Sequence, residues 1–237
     1  MSSSAEDLLA IVEQSPRATA AHDRAGWVSL FTDDGCVEDP VGSGSHVGHV
    51  QLGRFYDTFI GPRQIKFRRD LDIVTGTSVI RDLTLEVMMG RGVRLLVPTF
   101  IRYDLREGES GWQIARLRAY WELAAMIGAF LRNGVKSLPA SLQLSGALLR
   151  NQGLPGAARY VSGLTGPARR GKRLVERALA DGRLTDQMRE CKWSKVIAAG
   201  STVAASITTP SGRGVLFAEL GDRGRDITDV SIFRNEK

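Results

Sequence analysis

Between residues 65 and 121 the side chains change character at every second position, in four runs joined by short turns. "IKFRRDLDIV" sets Lys66, Arg68, Asp70 and Asp72 against Phe67, Arg69, Leu71 and Ile73. "TSVIRDLTLEVMM", "GVRLLVPTFIRYD" and "WQIARLRAYW" follow, with turns at Gly90-Arg91-Gly92 and at residues 107–111. One wet and one dry face at a period of two is the pattern of half-buried antiparallel strands. The dry face needs a cover, and the residues upstream read as helices. Ser4 and Asp7 have capping-box spacing ahead of Leu8, Leu9, Ile11 and Val12. Ser15-Pro16 predicts a break in that first helix. A helix bearing Trp27, Leu30 and Phe31 is expected to end near Asp34-Gly35, and another carries Leu52, Phe55, Tyr56 and Phe59 at helical spacing. Helices followed by a meander predict an α+β cone, one curved antiparallel sheet wrapped around helices with a pocket between them.

One acid stands out against this plan. In "CVEDPVGSGSHVG" (36–48) strand alternation puts Val37, Asp39 and Val41 on one face and leaves Glu38 to solvent. A carboxylate between two valines is costly unless it is paired, hydrogen-bonded or neutralised. Two later strands supply company for it. Val97, Thr99, Ile101 and Tyr103 share one face; Ala115, Leu117, Ala119 and Trp121 share another, with small residues beside the indole. A threonine among aliphatic neighbours is commonly satisfied by backbone, and its hydroxyl can alternatively donate to a ligand.

Charge divides the chain of 237 residues. Residues 1–125 carry 14 Lys/Arg against 17 Asp/Glu, a balance of −3, and residues 126–237 carry 18 against 9, a balance of +9. No acid occurs between Glu122 and Glu176, where eight Lys/Arg fall. A solvated basic face is the first reading of that segment. The second is peripheral contact with anionic lipid through 123–175, since "LAAMIGAFL" and "LPASLQLSGALL" are apolar with flanking cations. Nucleic acid ranks last, because only Phe130 and Tyr160 offer aromatic faces and no known motif is present. The acidic start "MSSSAEDLLAIVEQ" does not read as a secretory signal, and Cys36 and Cys191 have no metal or redox spacing. A cytoplasmic protein, membrane-associated if the lipid reading holds, is the expectation.

Gly42, Gly44 and Gly48 lack the lysine or spacing of a phosphate loop, and Asp39 would repel phosphate. His46 and His49 have no third ligand nearby. No cofactor and no metal is therefore expected. Arg81-Asp82 are strand neighbours facing opposite ways, which disfavours a paired Arg/Asp site.

"SLFTDDGCVEDPVGSGSHVGHVQLGRFYDTF" with "IARLRAYWE" resembles the bacterial ketosteroid isomerases, SnoaL-like members of the nuclear transport factor two-like superfamily that also includes polyketide cyclases. The resemblance spans roughly residues 5–122. It implies the conical fold, a pocket for a flat apolar ligand, and Asp39 as the base that carries a proton between two carbons of a dienolate. It places Tyr56 near that base and Trp121 where an indole hydrogen-bonds it. Phe31, Val41, Phe55, Val97 and Leu117 are the expected ligand contacts. The family's oxyanion donors, a tyrosine and a protonated aspartic acid, fall at Ser15 and Thr99, which makes Thr99 the candidate second catalytic residue. Three readings follow: a proton-transfer isomerase acting on a steroid-like or polycyclic ketone, a non-catalytic sterol or lipid binder, and a cyclase or dehydratase using Asp39.

The remainder, residues 123–237, reads as helices broken at Pro139, Pro155 and Pro167 and then a three-stranded meander: "SKVIAAGSTVAASITT", "GRGVLFAELGD" and "GRDITDVSIFRN". Gly-Arg-Gly-Val recurs at 90–93 and 212–215, each between a predicted strand pair. The sequence thus divides into 1–122 and 123–237, the second a candidate degenerate copy of the first. It would make the protein an internal pseudo-dimer; the alternative is a homodimer.

Overall fold

The computed structural model describes residues 4–89, 93–109, 111–132, 168–182, 191–221 and 223–234. Helix α1 (Ala5–Ala20) opens on the expected reciprocal cap between Ser4 and Asp7. It runs through Pro16 without breaking. Proline removes one amide donor from the ladder. The turns on either side are held by Leu8, Val12, Ser15 and Thr19, all buried against the sheet. Helix α2 (Arg24–Ser29), capped by Asp23, stops before Phe31.

The segment read as a continuing helix is strand β1 (Phe31–Glu38). Its Asp33-Asp34-Gly35 lie in a register shift where β1 pairs with β6, so turn-like residues mark an irregular strand instead of a helix end. Short β2 (Ser45–Val47) and helix α3 (Gly48–Phe55), continued by a π-turn at Tyr56–Ile60, follow. The four period-two runs form β3 (Gln64–Thr75), β4 (Ser78–Met89), β5 (Val93–Gly108) and β6 (Gly111–Tyr120). The sheet order is β2-β1-β6-β5-β4-β3, antiparallel except for the β1–β6 pair. Its inner face closes on α1 to α3 through a core that includes Leu8, Val12, Trp27, Leu52, Phe55, Leu83, Ile101 and Ile114.

Beyond Tyr120 come helix α4 (Leu123–Leu131) and helix α5 (Ala168–Ala180). A second sheet then has four strands where three were expected: β7 (Lys192–Ala199), β8 (Thr202–Thr209), β9 (Gly212–Leu220) and β10 (Ile227–Arg234). "SKVIAAGSTVAASITT" folds back on itself at Gly200-Ser201, where Gly200 takes φ +59°, so one apolar run yields two strands. The breaks at Pro139, Pro155 and Pro167, the 138–149 segment and the first Gly-Arg-Gly-Val turn lie outside the described residues.

The second sheet covers the outer face of the first. Ile73, Ile80, Phe100 and Tyr120 pack against Ile197, Ala199, Ala204, Val215 and Phe217, and Val175 and Leu179 of α5 close the far side of the second sheet. Backbone meets backbone where the 40–44 turn touches the β7–β8 turn: a Cβ on Gly42 would lie 2.4 Å from the Gly200 Cα.

Within this interface Lys195 reaches the first sheet. Its ammonium pairs with the Asp82 carboxylate and donates to the Thr99 carbonyl at 2.9 Å; Ser206 Oγ donates to the other Asp82 oxygen at 2.5 Å. Asp82 is almost wholly buried, so the ion pair stands in place of lost water. Lys195→Met is expected to destabilise the fold by about 3 kcal/mol, because it strands a buried carboxylate, and Asp82→Asn in that background should recover part of the loss. Urea unfolding measures both; a change below about 1 kcal/mol would place the pair among energetically minor surface bridges.

Candidate active site

β1 ends at Glu38, and the chain turns through Pro40 to Ser43, where Ser43 Oγ donates to the Pro40 carbonyl at 2.7 Å. This turn leaves Asp39 at the inner face of the sheet, at the end of the strand. Across from it, Trp121 follows the last residue of β6, and its Nε1–H donates to Asp39 Oδ1 at 2.5 Å. Two cavities meet at Asp39. One, of about 50 Å³, is lined by Ser15, Trp27, Val37, Phe55, Tyr103 and Leu117 among others. The other, of about 90 Å³, is lined by Phe59, Leu85, Val97, Trp121, Met126 and further apolar residues, and by Arg63, whose guanidinium donates to the Thr58 and Phe59 carbonyls at 2.8 and 2.6 Å. Asp39 is half-buried and lines both cavities, and desolvation raises its pKa to about 6 despite the stabilising Trp121 hydrogen bond.

The expected contacts divide. Phe55, Val97, Leu117 and Trp121 line the cavities. Phe31 and Tyr56 instead pack around Trp27, at ring separations of 4.8 and 5.7 Å, and line neither cavity. Val41 joins the apolar cluster between the two sheets. The strand alternation that placed it beside Asp39 ends with β1 at Glu38, two residues before the turn carries Val41 outward. Thr99 is fully buried, and its hydroxyl donates to the Val97 carbonyl at 2.9 Å, so the alcohol is satisfied by backbone and does not line either cavity.

Tyr103, not among the expected ligand contacts, also stands at the cavity. It shares the inner face of β5 with Val97 and Ile101, and it lines the cavity with Asp39. Burial pushes its pKa up to about 12, with Asp39 close enough to add to the rise, so it stays a neutral donor. Its hydroxyl is hydrogen-bonded with Ser15, whose Oγ accepts from Trp27 Nε1 at 3.2 Å. With the serine oxygen engaged by the indole, the serine proton can go to Tyr103, leaving the phenolic proton for an oxygen in the cavity. The signal was present in the four-residue face Val97-Thr99-Ile101-Tyr103, where a single buried phenol has few reasons to be polar.

The same face carries Arg81, which pairs with Asp72 at 2.9 Å and Glu13 at 3.0 Å, while Asp82 points to the second sheet, so the two neighbours do face opposite ways. His49 Nε2 lies 3.0 Å from the Phe31 carbonyl, and His46 packs on Phe55. Among the described residues no group of three His, Cys, Asp or Glu is arranged to hold a metal ion, and no helix is long and apolar enough to cross a membrane.

Residues 12–110 match the SnoaL-like domain family. The Δ5-3-ketosteroid isomerase of Mycobacterium sp. is 31% identical over 51% of this chain and 96% of its own, with a TM-score of 0.46. A computationally designed 17-OHP binder is 26% identical over 50% of this chain and 95% of its own (TM-score 0.45). A Mycobacterium tuberculosis protein in complex with estradiol-17beta-hemisuccinate is 27% identical over the same shares, with a TM-score of 0.45. Among curated proteins, none matches the chain.

Proposed function

Since this chain belongs, through its N-terminal half, to the SnoaL-like family of ketosteroid isomerase-like proteins, we propose that it moves a proton next to a carbonyl on a steroid-like or polycyclic ketone, with Asp39 as the base. The observation that carries this reading is a carboxylate held by the Trp121 indole in an apolar cavity, its pKa raised to about 6. A base of that strength is ionised at neutral pH and still holds a proton well enough to return it, which suits transfer between two carbons. Asp39 takes the proton from the carbon beside the carbonyl, the electron pair moves onto the carbonyl oxygen, and protonated Asp39 gives the proton back at the far end of the dienolate. No oxidant or reductant enters. The ketosteroid class comes from the 31% identical mycobacterial relative. The test is conversion of a 3-keto-Δ5-steroid to its conjugated isomer, read by ultraviolet absorbance.

Tyr103 supplies the donor for the developing oxyanion in this scheme, in place of the family donors replaced by Ser15 and Thr99. Removing one preorganised donor typically lowers turnover about 10²- to 10³-fold. Tyr103→Phe is accordingly expected to lower kcat about 10²-fold while the pH dependence set by Asp39 persists. Unchanged turnover would assign the oxyanion to another group.

Non-catalytic binding of a sterol or lipid is the second reading, favoured by the Thr99 hydroxyl being spent on the Val97 carbonyl. Ligand binding without conversion would select it.

A further inference from the structure

The cavities at Asp39 are too small for the ligands the proposed reaction needs. They measure about 50 and 90 Å³, while an apolar cavity that holds one benzene measures roughly 150 Å³ and small-molecule sites begin near about 300 Å³. A third cavity of about 390 Å³ lies between the two halves of the chain. It is walled by Leu95 to Pro98 of β5, by Ala125, Met126 and Ala129 of α4, and by Lys195 to Ile197 of β7. β5 begins at Val93, but its pairing with β6 starts only at Phe100, so the first part of β5 is left unpaired on that side and α4 packs beside it. Val97 and Met126 line both this chamber and the 90 Å³ cavity that contains Asp39 and Trp121. Two side chains are therefore shared walls, and one is methionine, whose unbranched thioether moves aside at low cost.

We infer that the chamber between the two halves is the second compartment of the Asp39 site, and that the ligand is elongated, with its oxygen-bearing ring at Asp39 and an uncharged apolar remainder passing Met126 into the chamber. This rests on the proposed ketone chemistry for the ring at Asp39 and adds the shape and polarity of the rest of the molecule. The uncharged end follows from the chamber's own charges. Lys172 is paired with Glu122 at 2.6 Å and Lys195 with Asp82, so neither ammonium is free to attract a carboxylate or phosphate. The remaining walls are aliphatic.

The test narrows the chamber without touching Asp39. Ala125 is exposed on α4 and lines the chamber alone, so Ala125→Trp should fold and fill part of it. Binding of two probes is measured by calorimetry: 2-cyclohexen-1-one, which reaches only the Asp39 end, and a 3-keto-Δ4-steroid. Ala125→Trp is expected to weaken the steroid by about tenfold or more and the single ring by less than about twofold. Met126→Ala should leave steroid affinity equal or tighter. Asp39→Asn should keep steroid binding while losing turnover, which separates the chamber from the proton transfer. Steroid affinity unchanged in Ala125→Trp would overturn the second compartment and leave the isomerase reading standing. Absence of steroid binding to the parent chain would overturn both.

Discussion

Asp39→Asn is expected to abolish isomerisation while making the protein more stable at neutral pH. The amide keeps the size of the carboxylate and its oxygen can still accept from Trp121, but it cannot take a proton from carbon. General bases contribute about 10² to 10⁴ in rate, and a loss of about 10³ is the expected result. The stability effect has the opposite sign. Burial raises the Asp39 pKa from its ordinary 3.8 to about 6. The folded protein therefore favours the protonated acid, an advantage fully present below the unfolded value and lost as pH rises through about 6. Above that pH the charged group costs roughly 3 kcal/mol, taking about 1.4 kcal/mol per pKa unit. Asparagine removes that cost. Denaturant midpoints of parent and variant should coincide below about pH 4, separate between about pH 4 and pH 6, and stay apart at a constant difference above that, with the variant more stable. A variant less stable than the parent at neutral pH would mean that Asp39 is a structural group held charged by its surroundings.

Truncation after Glu122 should yield a fragment that aggregates or dimerises. Ile73, Ile80, Phe100 and Tyr120 are buried solely on the outer face of the first sheet, where the second sheet now covers them. Each large apolar side chain returned to water forfeits about 1.5–3 kcal/mol, and a contiguous patch of that kind is rarely left open on a soluble monomer. The cut also removes Lys195 from Asp82 and the Gly200 backbone from the turn that follows Asp39. The second half covers a sheet face that would otherwise be open to water, and we propose that the chain is an internal pseudo-dimer with one active pocket. Analytical ultracentrifugation of residues 1–122 decides the matter. A monodisperse monomer with full ligand affinity would make the second half an independent module.

Much of the cone could be read directly from the residues, because its determinants are local. Alternation in β3 to β6, the Ser4/Asp7 cap and the isolated acid in "VEDP" each act within a few positions, and the Asp39–Trp121 pair came through family resemblance. What escaped reading depends on contacts distant in sequence. Pro16 looks like a helix end until the buried side chains on either side of it are seen to hold the turns. Asp33-Asp34-Gly35 has turn composition, yet pairing with β6 makes it an irregular strand. Alternation extended past the end of β1 puts Val41 on the inner face, but β1 stops at Glu38. Thr99 and Tyr103 share one face, and only the three-dimensional structure shows the alcohol satisfied by Val97 and the phenol turned to the cavity. The covering of the first sheet, through Lys195 and Phe217, joins residues about a hundred positions apart and has no local signature.

The pH dependence of kcat/KM for a 3-keto-Δ5-steroid tests most directly that Asp39 acts as a titrating base. The rate should rise with pH and level off above an apparent pKa of about 6, following the ionisation of Asp39 in the free protein. Conversion no faster than in buffer, or a rate that stays flat between about pH 4 and pH 8 across that ionisation, would contradict it.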